Sequence, residues 1–189
     1  FEEFPAQSAE TTVIIDMTSD FSDFGGSTTY ENSKEEDTIP SKVLKEMGYY
    51  AEKVVFNNLL RKYKQMSGQV DEMENFFQQH HENKTIKVVW ENMFKDKRLP
   101  YDIRREEDGN NVEYIEVKSK SSKAPEWVDV SENQWRFAKQ LYDVGEGDKY
   151  CFYVVIDPDK KSSIGGKHTN PIKKWKDGDL IAKALKFKL

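Results

Sequence analysis

The sequence lacks the features that mark secreted and membrane proteins. Its 189 residues contain a single cysteine, Cys151, which excludes an internal disulfide and indicates a buried thiol in a reducing compartment. No stretch approaches the roughly 20 consecutive apolar residues of a membrane span. The start, Phe1 to Phe4, has neither the basic region nor the apolar region of an export signal. These absences predict an intracellular protein, in the nucleus or the cytoplasm, that does not bind membranes.

The chain also lacks an initiating methionine. We therefore expect it to be a piece of a larger multidomain protein, whose oligomeric state the sequence leaves open. With 37% hydrophobic residues, the length is sufficient for one domain with its own core and an additional tail.

Acidic and basic residues are unevenly distributed along the chain. Residues 1–40 carry ten acidic side chains and one base, Lys34, and show no sustained hydrophobic period, which predicts a flexible acidic N-terminal segment. The remaining residues hold 28 bases against 24 acids, and residues 160–189 alone contain nine lysines. A mildly basic folded part favours a polyanionic partner such as nucleic acid, with an ordinary soluble surface as the alternative.

The hydrophobic periodicity predicts two helices at the start of the folded part. From Ser41 to about Gln65, apolar residues recur at steps of three and four, as in an amphipathic helix. A second, shorter helix is predicted across Val70, Met73, Phe76 and Phe77.

Strand patterns follow. Strands are predicted over residues 86–90, 101–105 and 112–119, and Asp108-Gly109-Asn110 is a hairpin turn sequence between the last two. Ser131 and Gln134 form a capping-box pattern, which predicts a helix to about Tyr142.

The apolar run at residues 150–156 predicts a strand buried on both faces. The Lys-rich stretch 160–176 is interpreted as a loop, either solvated or touching phosphates. Helices and strands in this order predict an α/β fold with a central mixed β-sheet flanked by helices.

Two acids and a lysine stand out by their spacing. Asp102 is followed, after residues 103–115, by Glu116-Val117-Lys118. Side chains two positions apart on a strand share a face, so Glu116 and Lys118 point together while Ile115 and Val117 point into the core. The hairpin can then bring Asp102 alongside Glu116. An exposed cross-strand charge pattern is the alternative interpretation.

Two carboxylates in one partly buried site repel each other, and desolvating each costs several kcal/mol. A divalent cation between them removes this conflict, and Mg²⁺, or Mn²⁺ in its place, prefers such hard oxygen ligands. We expect Asp102, Glu116 and the backbone carbonyl of Val117 to bind it. With Lys118 orienting a water or stabilising the charged transition state, the predicted chemistry is phosphodiester hydrolysis in DNA or RNA.

The same residues belong to a longer pattern that resembles the PD-(D/E)XK superfamily. More narrowly, it resembles the nuclease-like domain at the C-terminus of the plant protein NO VEIN and in related bacterial proteins. The resemblance covers about Gly48 to Ile156, and its motifs are Gly48 to Glu52, Val89-Trp90-Glu91-Asn92, Pro100 to Ile103, Glu113 to Ser119, and Ser131 through Trp135, Phe137 and Ala138.

This resemblance implies a nuclease-like domain at 41–189. Within it, a restriction-endonuclease-like core covers about 48–156, and a basic extension covers 157–189. It implies that Glu52 is a helix-borne acid that assists the metal directly or through water, the alternative being a solvated helix residue. Relatives often have Glu where this sequence has Gln134. Gln134 is therefore either a helix cap or a site residue in a centre with weaker metal affinity.

The resemblance is also compatible with a module that has lost turnover. Such a module would bind nucleic acid or another protein within a larger, ATPase-containing protein.

Overall fold

The computed structural model describes residues 13–16, 41–66, 68–81, 83–120, 127–158 and 163–183. A short 3-10 helix at Gly147–Lys149 precedes one of the strands. In chain order the other elements are β1 (Val13–Asp16), α1 (Ser41–Gln65), β2 (Gln69–Glu72), β3 (Phe76–His81), β4 (Lys84–Trp90), β5 (Ile103–Glu107), β6 (Asn110–Lys120), β7 (Trp127–Asp129), α2 (Glu132–Asp143), β8 (Tyr150–Ile156), β9 (Ser163–Thr169), α3 (Pro171–Asp177) and β10 (Leu180–Lys183).

A seven-stranded sheet with the order β2-β3-β4-β5-β6-β8-β9 forms the centre. Its neighbours pair antiparallel except for β6 and β8, which are parallel. A parallel pair needs a crossover connection, and β7 with α2 supplies it. The predicted α/β class with a central mixed sheet is confirmed. Among the described residues, no helix combines the length and the apolar character that crossing a membrane requires.

Each face of this sheet carries its own hydrophobic core. On one face, Val55 of α1 lies in a buried cluster with Ile115 of β6. On the other, Ala138 of α2 lies in a cluster with Phe152 of β8. Because strand side chains alternate between faces, a strand covered on both sides is apolar throughout. Six of the seven residues of β8 are buried, which confirms the prediction for residues 150–156.

The β5–β6 hairpin confirms the predicted turn and shifts one strand boundary. Asp108 and Gly109 both have left-handed backbone angles, with φ of 50° and 78°, which is typical of a two-residue hairpin turn. The strand predicted at 101–105 begins two residues later, at Ile103. Asp102 therefore lies just before β5.

The predicted helix across Val70, Met73, Phe76 and Phe77 is wrong. These residues lie in and between β2 and β3, which pair antiparallel with each other. The period of two in β3 was disguised because one of its two buried positions is a glutamine, Gln79. Gln79 is tolerated there because its Nε2 donates to the carbonyl of Tyr63 in α1, at 2.9 Å.

The loop interpretation of residues 160–176 is also wrong over the described part of that stretch. Residues 163–169 form β9, which pairs antiparallel with β8, and α3 follows. The strand was missed because Gly165 has a low strand propensity. A Cβ at this position would lie 2.8 Å from the Ile156 Cδ1 atom, so glycine permits a close approach that other residues would prevent.

A second, three-stranded sheet has the order β10-β1-β7, with both pairs parallel. The strand β1 was not predicted from the sequence. The rest of the acidic segment 1–40 lies outside the described residues, so its predicted flexibility and the domain boundary after residue 40 stay predictions.

Candidate functional site

Glu116 and Lys118 share the face of β6 that α2 covers. Glu116 is 4% exposed, and its Oε1 lies 3.1 Å from the Nζ of Lys118. Ile115 and Val117 enter the opposite core, beneath α1. The alternation expected from the strand pattern is therefore present, and it leaves a buried carboxylate beside an ammonium group.

Asp102 approaches the same part of β6 from the residue before β5. Its backbone N–H donates to the carbonyl of Ile115, at 2.9 Å. Its Oδ2 accepts a hydrogen bond from the Val117 N–H at 2.7 Å, and its Oδ1 accepts one from Asn92 Nδ2 at 2.9 Å. The hairpin thus brings Asp102 against the Glu116-Val117 segment, as the spacing predicted.

Glu52 reaches this region from α1. Its Oε2 accepts a hydrogen bond of 2.6 Å from the indole Nε1–H of Trp90. Trp90 is itself 2% exposed and packs on Phe56, with 5.7 Å between ring centroids. Glu52 is half-buried, so the alternative of a solvated helix residue does not describe it. We call Glu52, Asp102 and Glu116 the acidic cluster.

Burial makes the members of the acidic cluster reluctant to ionise. Burial, and then the charge of Asp102, raises the pKa of Glu52 to about 8. Burial raises the pKa of Asp102 to about 6, although the Val117 N–H opposes this. The pKa of Glu116 is well above its ordinary value, again through burial first and Asp102 second. The cluster therefore retains protons at neutral pH unless a positive charge replaces them.

Gln134 connects the cap of α2 to the charged pair. It completes the capping box with Ser131, and its Oε1 accepts hydrogen bonds from the Ser131 N–H and from Lys118 Nζ, both at 2.9 Å. Its Nε2 donates to Glu116 Oε1, at 2.6 Å. The two interpretations of Gln134, as a helix cap and as a site residue, describe the same side chain.

Asn92 and Glu91 also belong to the site, and sequence reasoning gave them no role. Asn92 holds Asp102, and its Oδ1 accepts the backbone N–H of Lys97 at 3.2 Å. Glu91 is 7% exposed and pairs with Lys97 Nζ at 2.6 Å and Arg104 Nε at 2.9 Å. The feature of the sequence that could have indicated them is that two polar residues directly follow the predicted strand that ends at Trp90. Spacing alone does not identify partners that lie across a loop.

The oxygen atoms of this site suit a hard divalent cation. Glu116 Oε2 is buried and has no hydrogen-bond partner among the described residues, which is costly for a carboxylate without a compensating charge. The Val117 N–H points toward Asp102, and its carbonyl points to the same side of the strand. Such oxygens match Mg²⁺ or Mn²⁺.

No group of three or more His, Cys, Asp or Glu side chains in the described ranges is arranged to hold a metal ion. A cation between Asp102 and Glu116 would therefore take its other ligands from the Val117 carbonyl and from water. Mg²⁺ usually keeps several waters when it binds to one or two carboxylates.

The part of the chain that contains this site is similar to known protein sequences. The family model described as "Protein NO VEIN, C-terminal" matches residues 51–165. Protein NO VEIN of Arabidopsis thaliana is 30% identical over 93 residues, which are 49% of this chain and 3% of that protein. Protein NO VEIN-LIKE of the same plant is 31% identical over 93 residues, which are 49% of this chain and 13% of that protein. The chain thus spans a small part of these relatives, and no solved structure matches it.

Proposed function

Because the chain belongs to the NO VEIN C-terminal family, we propose that it is a metal-dependent nuclease of the PD-(D/E)XK type, hydrolysing phosphodiester bonds in DNA or RNA. One observation carries the proposal. The buried Glu116 has an oxygen without a hydrogen-bond partner among the described residues, next to Lys118 and within range of the Asp102 charge. Such an arrangement costs stability, and a role in binding a cation accounts for it.

The proposed cation is Mg²⁺ or Mn²⁺, with Asp102, Glu116 and the Val117 carbonyl as its protein ligands. Because no three acidic side chains of the described residues are arranged to hold a metal ion, Glu52 assists through water. When bound, the cation lowers the pKa of a water molecule and polarises a phosphoryl oxygen. The two hydrogen bonds to Asp102 fix the direction of its carboxylate, which is the support that a ligand needs from its surroundings.

Lys118 is the proposed partner of the attacking water. Its Nζ is held between Gln134 Oε1 at 2.9 Å and Glu116 Oε1 at 3.1 Å, and its side chain is 13% exposed. A restrained ammonium group of this kind can orient a water molecule and offset the negative charge that develops in the transition state. Gln134 serves as a positioning residue in this proposal, because it contacts both members of the pair.

The proposed setting is intracellular, in the nucleus or the cytoplasm, within a longer protein. Both curated relatives extend far beyond the matched 93 residues. Nucleic acid is the proposed partner, in agreement with the basic balance of the chain after residue 40.

The direct test incubates the purified chain with single- and double-stranded DNA and RNA in Mg²⁺ or Mn²⁺. We expect cleavage that is abolished by EDTA and falls roughly a hundredfold or more in Asp102→Ala and in Lys118→Ala. Lys139→Ala and Asp143→Ala are the matched controls, because this exposed pair lies at the opposite end of α2 from Gln134. Both controls should cleave like the wild type.

Thermal melts of all four variants separate loss of chemistry from loss of folding. Cleavage that survives in folded Asp102→Ala and Lys118→Ala would contradict the site assignment. A chain that cleaves none of the four substrates with either metal would contradict the proposed activity.

A second candidate function is a binding module that has lost turnover. Both oxygens of Asp102 already accept hydrogen bonds, and Glu116 Oε1 faces both Gln134 Nε2 and Lys118 Nζ. Much of the site is therefore satisfied by the protein's own groups. Tight nucleic-acid binding that weakens steeply with salt, without cleavage, would favour this candidate, and binding to neither DNA nor RNA would favour a protein-interaction module.

A further inference from the structure

The loop between β4 and β5, residues 91–102, carries the most exposed aromatic side chain in the described part of the chain. Phe94 is 67% exposed, whereas the next aromatic side chain, Tyr50, is 47% exposed. A single exposed apolar residue is common on protein surfaces and has no meaning by itself. The exposure of Phe94 is significant because of its position relative to the acidic cluster.

Both flanks of Phe94 are connected to the acidic cluster. Two residues before it, Asn92 donates to Asp102 Oδ1. Two residues after it, Asp96 is close enough to Asp102 and Glu52 for its charge to act on both carboxylates. Two residues of chain span at most about 7 Å. The Cα of Phe94 therefore lies within that distance of the Cα of both Asn92 and Asp96, beside the proposed catalytic centre.

The loop holds Phe94 outward through specific contacts. Lys97 is tied down at two points, because its N–H donates to Asn92 Oδ1 and its Nζ pairs with the buried Glu91. The Arg98 N–H donates to Asp96 Oδ1 at 2.7 Å, and Arg98 has a left-handed backbone with φ of 55°. These contacts fix the segment that follows Phe94, so its ring is presented to solvent from an ordered support.

Residues 95–98, directly after Phe94, carry three bases and one acid, Asp96, and this balance favours an anionic partner. Lys95 and Arg98 are exposed, and Lys97 adds a third base that faces Glu91. An aromatic ring next to exposed cationic side chains is the combination that binds single-stranded nucleic acid, in which the ring stacks on a nucleobase and the cations face phosphates. In a duplex, each base is already covered by its neighbours and paired, so the ring has no free face to contact.

We propose that Phe94 stacks on an unpaired nucleobase adjacent to the scissile phosphate, and that the substrate of this site is single-stranded nucleic acid. Lys95 and Arg98 contact the phosphates on either side of that nucleotide. The inference deepens the proposed function and rests on it, because the acidic cluster supplies the position of the scissile phosphate.

The test measures binding of labelled single-stranded and duplex oligonucleotides in Ca²⁺, a condition chosen to suppress turnover. Phe94→Ala should weaken single-strand binding roughly tenfold or more, as expected for loss of one base–aromatic stack, and leave duplex binding unchanged. Phe94→Trp should restore the affinity, and its indole fluorescence should be quenched by the single strand. Val144→Ala is the matched control, since Val144 is 70% exposed at the end of α2 remote from the cluster.

The outcomes separate this inference from the proposed function. Unchanged single-strand affinity in Phe94→Ala, or an equal loss for single strand and duplex, overturns the stacking role even if the wild type cleaves. If single-strand binding depends on Phe94 but Mg²⁺ and Mn²⁺ support no cleavage, the base-binding site stands and the nuclease proposal fails. A selective loss in Phe94→Ala, with rescue and quenching in Phe94→Trp, supports the inference.

Discussion

At the scale of single residues, the acidic cluster opposes folding above weakly acidic pH. Glu52 and Asp102 have pKa values of about 8 and about 6 in the folded protein, against 4.5 and 3.8 in ordinary surroundings. The folded state thus holds protons that the unfolded state releases. The stability associated with these protons is complete below about pH 4 and is lost as pH rises through the two folded values. A cation would recover it by replacing the protons.

Glu52→Gln tests this charge balance without any activity assay. Glutamine keeps an oxygen that can accept the Trp90 Nε1–H hydrogen bond but cannot ionise. In EDTA we expect the variant to unfold with a free energy about 1–2 kcal/mol larger than the wild type at pH 8. The difference should shrink toward zero near pH 5. Denaturant melts across this pH range measure both quantities.

The matched control for this substitution is Glu46→Gln, because Glu46 is an exposed acid on the same helix. Its effect on stability should be small and nearly independent of pH. A Glu52→Gln variant that is equally destabilised at pH 5 and pH 8 would show that ionising the Glu52 carboxylate does not destabilise the folded protein.

The positions of the site acids could be predicted because local geometry fixes them. The strand period oriented Glu116 and Lys118, and the hairpin turn at Asp108-Gly109 returns the chain so that Asp102 lies next to β6. A register shift between Arg105 and Glu106, which the sequence did not predict, moves the pairing by one residue. Asn92 and Glu91 could not be assigned in the same way. Their contacts depend on the path of the loop at 91–102, and no periodic pattern in the sequence predicts that path.

At the scale of secondary structure elements, prediction failed where a strand carried an atypical residue. In β3 the buried Gln79 replaced the apolar residue that would have revealed a period of two. In β9, Gly165 is required by the close approach of Ile156, and it lowered the strand propensity of this segment. By contrast, α1 and α2 were predicted well because periodicity and a capping box are properties of consecutive residues.

The first turn of α2 offers a prediction about metal affinity. In Gln134→Glu, the new carboxylate can still accept the Ser131 N–H and so keep the capping box. It cannot donate to Glu116, and it adds a negative charge to the cluster. We expect the metal-free variant to be less stable at pH 8 and to bind Mn²⁺ about tenfold more tightly, as measured by melting and by titration calorimetry.

Ser131→Ala separates the cap from the charge in that experiment. It removes the hydroxyl that accepts the Gln134 N–H and should cost about 1 kcal/mol of stability at any pH. Its Mn²⁺ affinity should match that of the wild type. Unchanged or weaker Mn²⁺ binding in Gln134→Glu would indicate that no cation binds beside Glu116.

At the scale of the whole molecule, the charge is divided between two parts of the chain. Residues 1–40 carry a net charge of −9, whereas the remainder carries +4. A polyanion attracted by the basic part is repelled by the acidic part, and both effects act over a distance that salt shortens to about 8 Å at physiological ionic strength. The acidic segment should therefore reduce the rate of nucleic-acid association more than it changes the bound complex.

Replacing Glu31, Glu35 and Glu36 by glutamine and Asp37 by asparagine tests this effect, because these four acids lie in the sequence between β1 and α1, outside both elements. We expect the quadruple variant to bind single-stranded DNA about threefold more tightly at low salt, mainly through a faster association rate. The advantage should vanish near 0.5 M salt, about where screening confines such interactions to contact distance. Stopped-flow association across a salt series measures this. If the quadruple variant and the wild type associate at equal rates at every salt concentration, the acidic segment does not compete with nucleic acid. A long-range charge effect would be largest at low salt.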